Sequence, residues 1–161
     1  MKVEYISPFI VATRKVLSTM AFVDSKPGKP ALKDEGQLTA PGEISAVIEL
    51  TGESKGSIAI SFTKPCILQV AQQMFGQAYD EINDEIVDMV GELVNMVSGE
   101  ARRELAKLGF HFSAGIPVTS QGEGHQIKHF VEARIILIPF ETKGGNYFIE
   151  ACFDSKKFLE G

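Results

Sequence analysis

The sequence predicts an α+β fold, in which an antiparallel sheet carries long helices packed on it. Three observations support this prediction: one long stretch with a helical hydrophobic stripe, β-type runs rich in Ile and Val, and glycine-containing turns between those runs. Runs of strands that alternate with grouped helices are typical of α+β layers. Because 161 residues suffice for one hydrophobic core, we expect a single domain over residues 1–161.

The start of the chain predicts a helix followed by a connector. Ser7 and Pro8 suit an N-cap and the first helical position, and the helix that they open should end near Phe22. Residues 24–42 are rich in Pro and Gly, which indicates a connector with at most one short strand, around residues 31–33.

A hairpin and a short helix should follow the connector. Residues 44–50 and 57–62 have β-type composition, and glycines in the segment between them allow a tight antiparallel connection. Thr63 is then expected to cap a short helix that has Pro65 in its first turn and Gly76 as its left-handed stop.

The longest predicted helix covers residues 84–108 and closes at Gly109. Its hydrophobic residues recur at helical spacing and should form one buried stripe, so the helix must lie on a sheet or on a partner. The members of this stripe are Ile86, Val90, Leu93, Val97, Ala101 and Leu108.

The chain after the long helix should consist mostly of strands. Strands are predicted at residues 116–119, 127–141 and 147–154, with residues 143–145 as the hairpin turn between the last two. The segment Gly122-Glu-Gly124 resembles a phosphate-binding loop only superficially, because a predicted strand, not a helix N-terminus, follows it. We therefore expect a hairpin turn there.

Composition argues against several classes of protein. The net charge of −5 and the pI near 5.2 do not suit a nucleic-acid-binding protein, and no apolar run approaches the length of a membrane span. The apolar stretch at residues 9–12 is too short for a secretory signal, so we expect a cytoplasmic protein.

Cys66 and Cys152 should be reduced core thiols. We also expect no metal site at the three histidines, which are His111, His125 and His129.

The candidate functional residues lie on one side of the long helix. Asp88, Glu92 and Asn95 stand at positions i, i+4 and i+7, within about 60° of one another and almost opposite the apolar stripe. We therefore expect all three side chains to be exposed to solvent. On these residues alone, a simple solvated helix face remains the alternative to a functional site.

Two glycines accompany these polar residues. Gly99 continues the polar stripe and Gly91 flanks it, although each glycine in a helix interior costs about 1 kcal/mol relative to alanine. Without Cβ atoms, both positions would let a partner protein approach the helix closely, so Gly91 and Gly99 are candidate docking residues.

This spacing resembles the signature of a known family. The run Asp88-Met-Val-Gly-Glu92-Leu-Val-Asn95, followed after 21 residues by Pro117, is similar to the Asp/Ser-x3-Glu-x2-Asn-x21-Pro signature of the CheC/CheX/FliY chemotaxis phosphatases. Residues 95–101 and 56–62 resemble two further segments of that family. CheC-type members carry two Glu-x2-Asn helices, whereas the first helix here has none, so the single site resembles the CheX branch.

The resemblance implies a CheC/CheX-like fold and a phosphatase that acts on a phosphorylated CheY-like response-regulator receiver. It gives Asn95 the role of orienting the attacking water and Glu92 that of pairing with the receiver's lysine. Asp88 would assist docking or simply be solvated, and Pro117 would shape the structure beside the site. The resemblance also implies a homodimer with no cofactor of its own, since the receiver supplies Mg²⁺.

Two other functions are possible on the sequence. One is a non-catalytic receiver-binding or flagellar-switch module that recognises the phosphorylated state without hydrolysing it. The other, a hydrolase of small phosphate esters, lacks support, because we find no metal site, nucleophile-base pair or phosphate loop in the sequence.

Overall fold

The computed structural model describes residues 3–34 and 36–154, so the ends of the domain predicted over 1–161 lie outside the described residues. Within the described residues, three helices and eight strands share one α+β architecture, which confirms the predicted fold class. In chain order the elements are α1 (Val3–Ala21), β1 (Lys26–Pro27), β2 (Ala31–Lys33), β3 (Ile44–Gly52), β4 (Gly56–Phe62), α2 (Lys64–Phe75), α3 (Asp84–Lys107), β5 (Phe112–Ala114), β6 (Val118–Gln121), β7 (Ile135–Thr142) and β8 (Gly145–Phe153).

The described strands form one antiparallel sheet in the order β1-β7-β8-β4-β3-β5, with β2 also on β7 and β6 also on β3. Its centre joins the two predicted hairpins, β3–β4 and β7–β8, through the pairing of β4 with β8. In that register Ile58 lies between Ile48 and Ala151. Side chains alternate between the two faces of a sheet, so these three residues point to the same face.

The main hydrophobic core lies between that face and the helices. Helix α3 packs on α1 and on β3, while α2 packs on β8 and α1. Large aromatic side chains fill the space between the layers, and Phe140 stacks on Tyr147 with ring centres 4.7 Å apart. The helices are thereby fixed on one side of the sheet, and α3 keeps one side open to solvent.

The opposite face of the sheet carries a buried polar network. Lys33 Nζ donates to Glu150 Oε2 at 2.8 Å, and His129 Nε2 lies 2.9 Å from Glu150 Oε1. The other ring nitrogen of His129 is hydrogen-bonded to Ser57 Oγ at 2.6 Å. Beside this network, Ile127 is buried in a small second apolar cluster. The segment after β6 therefore covers the sheet face that the helices leave open.

This covering segment corrects two predictions. Residues 127–134 were expected to begin a long strand, but the strand starts only at Ile135. The preceding residues lie over the sheet because Ile127 and His129 direct their side chains onto it. Gly122 and Gly124 form a turn, both with positive φ, but the residues directly after it make only an isolated bridge between Gln126 and Thr39, so the expected hairpin is wrong.

The boundaries of α1 and of the connector also differ from the predictions. Helix α1 begins at Val3 instead of Ser7, and Pro8 lies inside it, where it removes one backbone hydrogen bond. The connector contains the expected strand at residues 31–33 and a second one, β1. Both are short and pair with β7, and a two-residue edge strand is fixed by its partner strand more than by its own composition.

The remaining helix predictions are largely confirmed. Helix α2 ends at Gly76 with a left-handed φ of 75°, as expected, and Thr63 occupies its N-cap position. The Thr63 hydroxyl donates to the Asn146 carbonyl and forms no side-chain cap, however. The hydrophobic stripe of α3 is buried apart from Leu108, which follows the helix and is 45% exposed.

Cys66 and Cys152 are buried free thiols, and desolvation raises the pKa of each to about 11.

Over the described residues, no helix combines the length and the hydropathy that crossing a bilayer requires.

The buried ion pair gives a stability prediction. Lys33→Met should lower the free energy of unfolding by about 3 kcal/mol, because it leaves the Glu150 carboxylate buried without its cation. The matched control is Lys15→Met, which removes a lysine that is 53% exposed from its pair with Glu100 and should cost no more than about 1 kcal/mol. Urea unfolding measures both variants, and equal midpoint shifts would contradict the importance of the buried pair.

Candidate active site

Helix α3 is positioned by its N-terminus and by its buried stripe. Asn83 is the N-cap, and its Oδ1 accepts a hydrogen bond from the Ile86 backbone N–H at 2.9 Å. Asp84 and Glu85 in the first turn complement the positive end of the helix dipole. The cap fixes where the helix begins, and burial of the apolar stripe sets the rotation of the helix about its own axis.

The polar side of α3 is exposed, as the sequence predicted. Asp88, Glu92 and Asn95 are all open to solvent, and they lie on one unbroken helix. Within residues 3–34 and 36–154, no hydrogen bond or ion pair engages any of these three side chains. A carboxylate and a carboxamide are thus presented to solvent one turn apart, with all their hydrogen-bonding capacity free for a partner or for water.

Gly91 requires a correction to the predicted docking residues. It is buried, and a Cβ atom at this position would lie 3.4 Å from Thr119 Cγ2 and 3.8 Å from Pro117 Cβ. The segment that approaches its bare α-carbon therefore belongs to the protein's own chain and not to a partner. Gly91 is a packing residue that brings Pro117 against the flank of the polar stripe.

Pro117 lies beside the helix, and it precedes β6 instead of lying inside the strand predicted over residues 116–119. It directly precedes β6, which pairs with β3 from Val118 onward. A proline here loses no ladder hydrogen bond, since the first pair of this ladder is Val118 with Val47. Pro117 thus borders the Asp88/Glu92/Asn95 stripe on one side.

Gly99 differs from Gly91 in its surroundings. It is half-buried, and a Cβ atom at this position would meet only Arg102 Nη2 among the described residues, at 3.9 Å. No part of the described chain therefore needs a glycine at this position. Gly99 remains a candidate docking residue at the C-terminal end of the stripe.

The chemistry available at the site is limited to positioning and charge. No set of three or more His, Cys, Asp or Glu side chains that could hold a metal exists among the described residues. Asn95 has no ionisable proton, and the Glu92 side chain is open to water. Such a helix face can orient a water molecule and bind a cation, but the reacting group must come from a partner.

Helix α1 flanks the stripe on the side opposite Pro117, which the sequence did not reveal. Lys15 Nζ donates to Glu100 Oε2 at 3.2 Å across the two helices, and Met20 and Met96 line the seam between them. Nothing local in the sequence identifies α1 as the neighbour of α3.

The fold is thus an antiparallel sheet with helices on one face. The longest helix carries an exposed Asp/Glu/Asn stripe that no other described residue engages, which defines an α+β protein with one polar helix face open to a partner or to water. A family profile described as chemotaxis phosphatase CheX matches residues 44–141, which is more than half of the chain. The chain therefore belongs to the CheX family of chemotaxis phosphatases.

Known proteins resemble the chain over almost its whole length. The CheY-P phosphatase CheX of Thermotoga maritima is 27% identical over 155 residues, covering 96% of this chain and 94% of that protein. The crystal structure of a chemotaxis protein CheX from Desulfovibrio desulfuricans is 39% identical, with a TM-score of 0.86 and coverage of 94% and 100%. A CheX–CheY–BeF₃–Mg²⁺ complex from Borrelia burgdorferi matches at 27% identity, with a TM-score of 0.78 and coverage of 96% and 100%.

The contrast between the two glycines gives a prediction. Gly91→Leu should be less stable than Gly99→Leu by about 1–3 kcal/mol, because only the former side chain must displace Thr119 or Pro117. Both substitutions gain the same helix propensity, so the difference reports the local packing. Thermal or urea unfolding measures it. Equal stabilities would show that Gly91 is not packed against the segment before β6.

Proposed function

We propose that this protein docks on the phosphorylated receiver domain of a CheY-like response regulator and hydrolyses its aspartyl phosphate. The observation that carries the proposal is that Glu92 and Asn95 are exposed and unpartnered among the described residues, at the positions of the family signature. Membership of the CheX family and the likeness to a CheX–CheY complex support it.

Asn95 acts by positioning water. Its carboxamide accepts a hydrogen bond from the water and holds it in line with the phosphorus–oxygen bond to the receiver's aspartate. The water oxygen attacks phosphorus, that bond breaks, and inorganic phosphate and a free aspartate carboxylate result. A carboxylate at position 95 would be worse, because its negative charge would repel the anionic phosphoryl group.

Glu92 fixes the docking register. Its carboxylate lies on the exposed face one turn before Asn95, where it can pair with the active-site lysine of the receiver. Asp88, a further turn away, adds a second acidic contact, and Gly99 gives the partner close access at the other end. Pro117 supports this face from the side but takes no part in the chemistry.

The receiver provides the rest of the reaction centre. It contributes the phospho-aspartate and a Mg²⁺ ion, which neutralises charge on the phosphoryl oxygens. This protein then needs no cofactor of its own. We further propose that it acts as a homodimer in the cytoplasm, where the free buried thiols of Cys66 and Cys152 suit a reducing compartment.

The direct test is phosphate release from receivers of the same organism after charging with acetyl phosphate and Mg²⁺. We expect the protein to accelerate release from at least one receiver. Failure with the whole panel, combined with binding to a beryllofluoride-loaded receiver, would instead support the non-catalytic binding module.

Two substitutions on α3 should separate binding from catalysis. Asn95→Ala should keep its affinity for the beryllofluoride-loaded receiver and lose at least about 100-fold in rate, since only the oriented water is missing. Glu92→Ala should weaken both affinity and rate, because its contact already exists before the reaction. Titration calorimetry and phosphate release measure the two quantities.

The control for Asn95→Ala is Asn146→Ala, which removes an exposed carboxamide from the β7–β8 hairpin. It should leave both affinity and rate unchanged. A wild-type rate for Asn95→Ala would contradict the proposed mechanism even if the protein is a phosphatase.

The proposed homodimer has a defined stoichiometry. If the subunits associate through surfaces away from α3, each dimer presents two identical docking faces. Light scattering with a saturating beryllofluoride-loaded receiver should therefore give two receivers per dimer. A single receiver per dimer would indicate that dimerisation covers or combines the Glu92/Asn95 faces.

A further inference from the structure

A groove runs between α1 and α3 beside the polar stripe. It has a volume of about 290 Å³, and Gly99 and Met96 form part of its α3 wall, while Val16 and Met20 belong to its α1 wall. This volume lies just below the range for small-molecule pockets, about 300–1,000 Å³, so the groove suits a single side chain better than a cofactor. The ion pair of Lys15 with Glu100 lies at the groove.

Gly99 is what keeps the groove open. In the part of the chain that the structure describes, Arg102 Nη2 is the only atom that its Cβ would meet within 4 Å, so the protein's packing does not require a glycine. A larger residue would extend from α3 into the groove and also favour the helix. The space at Gly99 is therefore a feature that folding alone does not explain.

The groove lies inside the area that a receiver docked at Asn95 must cover. Gly99 is four residues beyond Asn95 on the same face, which corresponds to about 6 Å along the helix axis. A standard protein interface buries about 800 Å² on each partner, so a roughly circular footprint centred on Asn95 extends roughly 16 Å. The groove is thus continuous with the docking face.

The lining indicates what enters the groove. Val16 is buried, and the flexible thioethers of Met20 and Met96 adapt to apolar partners of different shape. The two charges at the groove already neutralise each other at 3.2 Å. An apolar side chain therefore fits the groove better than a charged one, which would lose its hydration there.

We propose that the groove between α1 and α3 receives an apolar side chain of the phosphorylated receiver and determines which receivers bind tightly. This inference rests on the proposed function and adds α1 to the docking surface. Filling the groove affects the affinity for the receiver and leaves the chemical step at Asn95 unchanged.

The test compares Gly99→Ala and Gly99→Leu with the wild-type chain. We expect Gly99→Leu to raise the Kd for a beryllofluoride-loaded receiver and the KM for dephosphorylation by about tenfold, with kcat within about twofold. Gly99→Ala should give a smaller increase in the same direction. Both variants should be at least as stable as the wild type, so misfolding cannot account for the loss.

Two further variants complete the experiment. Met20→Ala removes an apolar contact from the α1 wall and should also raise Kd, about threefold. Gln126→Leu adds the same leucine side chain to the segment that covers the other sheet face, and it should change neither constant.

The outcomes distinguish this inference from the proposed function. If the wild type dephosphorylates the receiver and Gly99→Leu has the same Kd and KM, the groove inference is overturned while the phosphatase proposal stands. A change of oligomeric state in Gly99→Leu, seen by light scattering without a change in Kd, would assign the groove to a second copy of this chain and overturn the inference. A wild type that neither binds nor dephosphorylates any receiver overturns both.

Discussion

Burial of the apolar stripe of α3 against the sheet is the constraint on which the rest of the structure depends. Val90, Leu93 and Val97 are fully buried, and each such side chain contributes about 1.5–3 kcal/mol relative to an exposed one. Rotating the helix by one residue would turn it by about 100° and bring charged groups into the core. The stripe therefore fixes which residues α3 shows to solvent, and these include Glu92 and Asn95.

The surroundings of α3 then convert an exposed stripe into a shaped surface. On one side, the missing side chain of Gly91 lets Pro117 and Thr119 pack against the helix. On the other side, α1 leaves the groove at Gly99. The sheet fixes both of these neighbours of α3. Strand β6, which follows Pro117, pairs with β3, and α3 packs on both β3 and α1. The segment after β6 covers the reverse face, where Lys33 pairs with Glu150, so the sheet is covered on both sides.

The sequence predicted what depends on local periodicity and missed what depends on distant contacts. The 3.6-residue repeat of α3 and the two β hairpins are local patterns, and they identified the fold and the exposed stripe. Residues 127–134 have strand-like composition but lie over the sheet, because Ile127 and His129 find their partners on other strands. Gly91 and Gly99 look equivalent in the sequence and differ only through neighbours that fold against one of them.

The proposed function divides the reaction between two proteins, in which the receiver would bring the phosphoryl group and this protein a rigid helix with a carboxylate and a carboxamide. A crystal structure of the protein bound to a beryllofluoride-loaded receiver with Mg²⁺ tests this account most directly. The account predicts that the Asn95 carboxamide holds a water in line with the beryllofluoride and that Glu92 contacts the receiver's lysine. A complex in which the receiver contacts another surface, with Glu92 and Asn95 still in solvent, would contradict it.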